Sequence, residues 1–125
     1  MQAMILAAGY GTRLRPYTNY RPKPLFPVVN TPLLLAAVNR LKNNGFSRIV
    51  VNCHHLGDQV VSCLNDISGV VVQQEERILG TGGGLRRALD NLDDSALLVV
   101  NGDIYHTIDV SELYRLHLQE GHGIT

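Results

Sequence analysis

The chain has 125 residues, of which 45% are hydrophobic and 18% are charged, and this is enough for one compact domain with a core. Basic and acidic residues each number 11, so the balanced charge argues against nucleic acid or an anionic membrane as a partner. The apolar runs stop at about six residues, far short of a membrane span, and the N-terminus has no signal-peptide pattern, so we predict a cytoplasmic protein.

The balanced total hides an uneven distribution of charge. No acidic residue precedes Asp58, so residues 1–57 carry a charge of +7 and residues 58–125 carry −7. Four of the basic residues lie between Arg13 and Lys23, beside a glycine-rich segment. This clustering favours a small, highly charged anion over a long polymer, although composition alone leaves a solvated basic face as an alternative.

The first half of the chain predicts strands that alternate with helices. The apolar run from Ala3 to Ala8 is typical of a strand buried on both faces of a parallel sheet. Thr31 can cap a helix over about residues 32–43, whose first turn suits Pro32. We then expect a strand over 48–53, a short helix over 59–64 and a strand over 69–73.

The second half continues this alternation. Apolar residues at helical spacing from 85 to 92 predict a helix that begins at Gly84, and residues 96–100 predict a further strand. Asp109 can cap the following helix, with Glu112 as its reciprocal partner. The pattern predicts an α/β fold, Rossmann-like and doubly wound, with a mostly parallel sheet covered by helices on both faces.

The last residues predict that more structure follows. Residues 121–123 have the composition of a turn, and Ile124 and Thr125 that of the first two residues of a strand. We therefore expect residues 1–125 to be the N-terminal part of a larger single domain that is truncated here. Apolar surface left uncovered by such a truncation would favour self-association.

The segment after the first strand has the composition of an anion site. Ligands of open parallel sheets bind beyond the carboxyl ends of the strands. Gly9 and Gly11 allow backbone N–H groups to approach phosphate oxygens, and Arg13 adds a charged donor. Leu14 stands where a dinucleotide fingerprint needs its third glycine, and no Walker motif occurs. A simple turn between a strand and a helix is the alternative.

A second feature is a lysine between two prolines. The fixed φ angles of Pro22 and Pro24 hold the backbone of Lys23 extended, which lowers the entropy lost in aiming its ammonium group. An exposed rigid loop is the alternative.

The chain resembles the signature of the sugar-1-phosphate nucleotidyltransferases in two stretches, LAAGYGTRLRPYT and RPKPLFPVVNTPLL.

Two further motifs extend this resemblance over most of residues 2–105. ILGTGGGL is similar to the nucleotide-base loop of the family, and VVNGDI is similar to its metal-binding aspartate segment. The TGGG form looks closest to the N-acetylmuramate 1-phosphate uridylyltransferases, and heptose- and mannose-1-phosphate guanylyltransferases also carry such loops. The resemblance implies uridylyl or guanylyl transfer from a nucleoside triphosphate to a sugar 1-phosphate, giving a nucleotide sugar and pyrophosphate.

The resemblance also implies roles for individual residues. Arg13 and Lys23 would be catalytic through the phosphates, and Asp103 would be one ligand of Mg²⁺. The implied nucleotide-binding residues are Leu6, Ala8, Gly9, Gly11, Thr12, Gln74, Gly80 and Thr81. The spacing before Gly80 leaves open whether Gln74 or Glu75 faces the base.

Other interpretations stay open beside this one. The resemblance implies that residues 1–125 are the nucleotide-binding part of a nucleotidyltransferase domain. The family has a second aspartate and a sugar-phosphate lysine that lie downstream of this stretch, so residues 1–125 alone hold half of the metal site and no sugar pocket. A non-catalytic nucleotide-binding or regulatory module that keeps the phosphate loop is the alternative function. A zinc site at Cys53, His54, His55 and Cys63 is disfavoured, and we expect both thiols to be reduced.

Overall fold

The computed structural model describes residues 1–125. The strands are, in chain order, β1 (Gln2–Leu6), β2 (Pro27–Val28), β3 (Thr31–Pro32), β4 (Arg48–Cys53), β5 (Val70–Gln74) and β6 (Leu97–Asn101). The α-helices are α1 (Leu33–Asn43), α2 (Gly57–Leu64), α3 (Gly80–Ala88) and α4 (Val110–Glu120). Short 3-10 helices cover Thr12–Leu14, Tyr17–Asn19, Lys23–Leu25 and Leu89–Asn91.

The main sheet has four strands, all parallel, in the order β5-β4-β1-β6. Leu6 at the end of β1 is level with Asn52 of β4 and Asn101 of β6, and Asn52 is level with Gln73 of β5. The strands therefore end together at one side of the sheet, which we call the carboxyl edge, and begin together at the amino edge. This arrangement confirms the predicted Rossmann-like α/β fold.

Helices cover both faces of the sheet, as predicted, but they do so unequally. Side chains of α1, α2 and α4 pack on the face of Ala3 and Ile5 in a core of 14 buried residues. The opposite face carries Met4 and Val50, against which α3 packs Ala88 in a core of three buried residues. The glycine-rich helix α3 is therefore the main cover of that second face.

Some predicted boundaries are wrong in their details. Helix α1 begins at Leu33, because Thr31 and Pro32 form β3 and pair with β2 in a small hairpin. Val29 and Asn30 both have positive φ, the geometry of a tight hairpin turn. Asp109 caps α4 as predicted, accepting hydrogen bonds from the backbone of Ser111 and Glu112.

Three further predictions need correction. Helix α3 begins at Gly80 and not at Gly84, so the glycine-rich loop expected before the helix forms its first turn. The side chain of Glu112 binds Arg115 instead of returning to the helix start, because the ion pair one turn along offers a charged donor. Ile124 and Thr125 form no strand, since no neighbouring strand pairs with them.

Candidate functional site

A cleft of about 330 Å³ opens at the carboxyl edge, beyond the ends of β1, β4 and β6. Its walls come from the segment after β1, the start of α3, the loop around Lys23 and the turn after β6. The lining residues are Leu6, Ala7, Ala8, Gly9, Gly11, Arg13, Leu14, Lys23, Pro24, Asn52, Ile78, Gly80, Thr81, Asn101 and Asp103. The four motifs of the sequence therefore meet at one place.

The glycine-rich loop needs a glycine at position 11. Gly11 has a φ of 62°, and a Cβ there would lie 2.9 Å from Cγ2 of Thr18 and 3.2 Å from Cβ of Lys23. Thr18 is buried, and its hydroxyl donates to the carbonyl oxygen of Gly11 at 3.1 Å. The loop thus folds tightly over Thr18, which brings its backbone beside Lys23.

Two cations face this cleft in different states. No ion pair within the chain engages Arg13, so its guanidinium is available to an anion in the cleft. The ammonium group of Lys23 is paired with the carboxylate of Asp103, and each side chain is 32% exposed. One cation is thus unpaired and the other is held by a carboxylate of the cleft wall.

The turn after β6 requires a glycine before Asp103. A Cβ at Gly102 would lie 3.0 Å from Cγ2 of Ile5 and 3.2 Å from Cβ of Ala7, and the N–H of Gly102 donates to the carbonyl oxygen of Leu6 at 2.9 Å. This close approach to β1 carries the next residue, Asp103, to the cleft wall.

The cleft suits Mg²⁺ only if a ligand completes the coordination. Asp103 is the one carboxylate among the lining residues, and no group of three or more His, Cys, Asp and Glu side chains could hold a metal ion by itself. Mg²⁺ is commonly bound by one or two carboxylates together with substrate phosphates and water. The residues present therefore fit Mg²⁺ that arrives with a phosphate ligand.

Sequence reasoning did not single out Asn52, which also lines the cleft. It is 3% exposed, its Oδ1 accepts from the N–H of Ala7 at 2.8 Å, and its Nδ2 donates to Oε1 of Glu75 at 2.9 Å. The other oxygen of Glu75 accepts from the N–H of Leu79 at 3.0 Å. A polar residue near the end of an otherwise apolar strand was the signal that could have found Asn52.

Nine of the predicted site residues line the cleft, and Thr12 and Gln74 do not. Gln74 donates from its amide nitrogen to Oδ1 of Asp58 at 3.0 Å. Because side chains alternate along a strand, Glu75 turns to the α3 face instead, where it is buried. Of the two residues that spacing left open, Glu75 is thus the one bonded to the backbone just before Gly80.

The histidines and cysteines of the disfavoured zinc site form contacts of another kind. The ring of Tyr10 lies edge-on to His54, with centroids 5.5 Å apart, and its hydroxyl is 3.3 Å from Nε2 of that residue. Both cysteines are free thiols, as predicted, and burial raises the pKa of Cys53 from 9.0 to about 11. A protonated, packed thiol is a poor ligand for zinc.

Comparisons with known proteins agree with this geometry. The nucleotidyl transferase family model matches residues 2–125. The chain is 42% identical over 120 residues to N-acetylmuramate alpha-1-phosphate uridylyltransferase of Neisseria meningitidis, covering 92% of this chain and 52% of that protein. It is 32% identical over 136 residues to UTP–glucose-1-phosphate uridylyltransferase of Synechocystis, covering 97% of this chain and 35% of that protein.

The structural comparison gives the same result. HddC from Yersinia pseudotuberculosis, solved in complex with GMP-PN, superposes with a TM-score of 0.81 at 28% identity, covering 94% of this chain and 54% of that one. The chain thus spans about half the length, or less, of the proteins it matches. None of its helices is long and apolar enough to cross a membrane.

Proposed function

The chain belongs to the nucleotidyl transferase family, and from this premise we propose that the protein transfers a nucleotidyl group from a nucleoside triphosphate to a sugar 1-phosphate. The observation that carries the proposal is the meeting of a glycine-rich loop, two cations and a carboxylate in one cleft. Such a cleft suits a compact polyanion, because backbone N–H groups and charged side chains can share its negative charge.

In this reaction an oxygen of the sugar phosphate attacks the α-phosphorus in line. The new bond joins that oxygen to the α-phosphorus. The bond between the α-phosphorus and the oxygen that bridges to the β-phosphorus breaks, and pyrophosphate leaves with its electron pair. The protein contributes positioning and charge stabilisation. We assign the leaving pyrophosphate to Arg13, whose guanidinium has no partner within the chain.

Lys23 and Asp103 act as a pair in this scheme. The ion pair holds the ammonium group of Lys23 at the cleft wall, where it can neutralise charge near the α-phosphate. Asp103 is the residue that would hold Mg²⁺, and the bound metal would add positive charge beside the phosphate oxygens. When the triphosphate is bound, its phosphates can replace Asp103 as the partner of Lys23.

The nucleotide is held by backbone on two sides of the cleft. We assign its phosphates to Gly9 and Gly11, with Leu6 and Ala8 beneath them, and the base to Gly80 and Thr81. Thr12 and Gln74 lie outside the lining, so a direct contact from either would require the ligand to extend past the cleft.

Uridylyl transfer is the first activity to test, because the relative that is 42% identical is named as a uridylyltransferase. The experiment incubates the full-length protein with UTP or GTP, Mg²⁺ and a panel of sugar 1-phosphates, and measures pyrophosphate release. We expect release that requires both substrates. Triphosphate binding without any release would favour the non-catalytic nucleotide-binding module instead.

Two predictions concern the protein in the cell and in solution. We propose a cytoplasmic location from the composition, and we propose that residues 1–125 self-associate through uncovered apolar side chains, of which Leu118 is 60% exposed. Light scattering together with binding of a hydrophobic dye tests self-association, and a clean monomer that binds no dye would contradict it.

A further inference from the structure

A buried line of hydrogen bonds joins the two walls of the cleft. The N–H of Ala7, where the glycine-rich loop begins, donates to Asn52, Asn52 donates to Glu75, and the N–H of Leu79 donates to the same carboxylate. Asn52 and Glu75 are each 3% exposed. The bonds span 2.8–3.0 Å and run from β1 through β4 to the residue before Gly80.

The fold leaves room for this line of bonds at one position in α3. A Cβ at Gly84 would lie 2.9 Å from Nδ2 of Asn52 and 3.2 Å from Oε1 of Glu75. Gly82, two residues earlier in the same helix, would meet nothing within 4 Å. The glycine at 84 therefore lets the helix backbone pack directly on the bond between Asn52 and Glu75.

We propose that Asn52 and Glu75 are positioning residues that set the spacing between the phosphate-binding loop and the base-binding start of α3. This proposal rests on the proposed function, because it assigns the two walls to the two ends of one nucleoside triphosphate. Neither residue needs to touch the reacting atoms. Their bonds fix the backbone at Ala7 and Leu79, and the nucleotide contacts follow directly in sequence.

The direction of each hydrogen bond allows a test in which the amide of Asn52 and the carboxylate of Glu75 are exchanged. Asn52 offers one acceptor to Ala7 and one donor to Glu75, and both oxygens of Glu75 act as acceptors. Asn52→Asp places two carboxylates face to face, and Glu75→Gln leaves an amide N–H against another N–H. The double variant restores every bond, since an aspartate can accept from Ala7 and from the new glutamine, whose oxygen accepts from Leu79.

The experiment measures KM and kcat of the full-length protein for UTP and for the sugar 1-phosphate. We expect each single variant to raise the KM for UTP about tenfold or more and to leave the KM for the sugar 1-phosphate within about twofold. The double variant should return the KM for UTP to within about threefold of the wild-type value. Single-variant effects that simply add in the double variant would overturn the proposal.

The control is another change of a buried amide to a carboxylate, made at the amino edge, which should also destabilise the protein. Gln2 is 2% exposed and makes three hydrogen bonds at the amino edge, so Gln2→Glu replaces a buried amide by a carboxylate far from the cleft. It should lower the melting temperature without changing the KM for UTP. A rise in that KM equal to that of Asn52→Asp would mean that lost stability, and not loop spacing, explains the effect.

A second pair of variants covers the case in which Asn52→Asp does not fold. Gly84→Ala crowds the bond between Asn52 and Glu75 and should raise the KM for UTP. Gly69→Ala, which crowds the carbonyl oxygen of Ser47 at the amino edge, should not. Equal KM values for the two alanine variants would contradict the proposal. If the wild-type protein binds UTP without releasing pyrophosphate, the same variants are compared by their dissociation constants for UTP. Failure of the proposed nucleotidyl transfer is therefore distinguishable from failure of the positioning role of Asn52 and Glu75.

Discussion

The two edges of the sheet use polar groups in opposite ways. At the amino edge, the amide of Gln2 donates to the carbonyl oxygens of Asp93 and Ser95 and accepts from the N–H of Asp93, so its hydrogen-bonding groups are used within the chain. Arg48 is likewise paired with Asp93. At the carboxyl edge, the guanidinium of Arg13 is unpaired and the ammonium of Lys23 is held by one carboxylate.

This difference separates a structural edge from a binding edge. Groups at the amino edge already have their partners, so a ligand there would have to displace bonds that stabilise the fold. The carboxyl edge leaves cations and loop backbone facing a cleft. Within one small sheet, the unpaired guanidinium of Arg13 and the loop backbone beside it therefore indicate which end binds.

The largest effects should come from removing the two cations of the carboxyl edge. Arg13→Ala and Lys23→Ala should each lower kcat about 100-fold, or about 3 kcal/mol of transition-state stabilisation, because each neutralises charge on phosphate. Steady-state kinetics of the full-length protein with saturating substrates measures this, while thermal melting should show folding nearly unchanged.

Arg48→Ala is the matched control, since it removes an equal charge from the amino edge. Its partner is exposed and the pair is worth little, so kcat should stay within about threefold of wild type. If all three arginine and lysine variants lost activity alike, the basic first half would act as a diffuse field and the contrast between the edges would fail.

A smaller effect is expected from the carboxylate that pairs with Lys23. Asp103→Asn should lower the apparent affinity for Mg²⁺ about 10- to 100-fold in a titration of activity, because an amide is a poorer ligand than a carboxylate. Binding of triphosphate without metal should be largely kept, as measured by calorimetry. An unchanged Mg²⁺ dependence would remove Asp103 from the metal site.

The amino edge should respond in stability and not in activity. Gln2→Ala removes three hydrogen bonds and leaves a space where a side chain only 2% exposed was packed, so the free energy of unfolding should fall by about 2 kcal/mol. Urea denaturation measures that loss. Substrate KM values should not move, and a variant with normal stability but altered KM would contradict the division between the edges.

The smallest effect concerns the pH dependence of stability at Cys53, which ends β4 on the face away from Asn52. Burial raises its pKa from 9.0 to about 11, so the folded protein keeps a proton that the unfolded chain loses. The stabilisation is therefore fully present below pH 9 and is lost as the pH rises toward 11, about 1 kcal/mol by pH 10. Denaturation from pH 8 to 10 should show this slope in wild type and a shallower one in Cys53→Ala.

The sequence predicted the sheet better than it predicted the loops. The apolar runs fixed the strands because burial on both faces demands them, and the glycines with Lys23 and Asp103 located the cleft. The hairpin at Val29 and Asn30 was missed, since a β-branched residue at positive φ goes against local preference. The start of α3 was missed because four glycines disfavour a helix that packing nevertheless requires.

Asn52 and Glu75 show why the site itself was only partly predictable. Each is an ordinary polar residue in sequence, and their importance lies in a contact between residues that are 23 positions apart in the chain. Gln74 looked equally suitable until the pleat of β5 turned it toward Asp58. Spacing along one strand could not decide between neighbours that point to opposite faces.

Backbone hydrogen exchange of the full-length protein, with and without UTP and Mg²⁺, tests the contrast between the edges most directly. We expect the ligand to slow exchange at residues 9–12 and 80–81 and to leave the amides around Gln2, Arg48 and Asp93 unchanged. Slowed exchange at the amino edge, with none at the glycine-rich loop, would contradict that contrast.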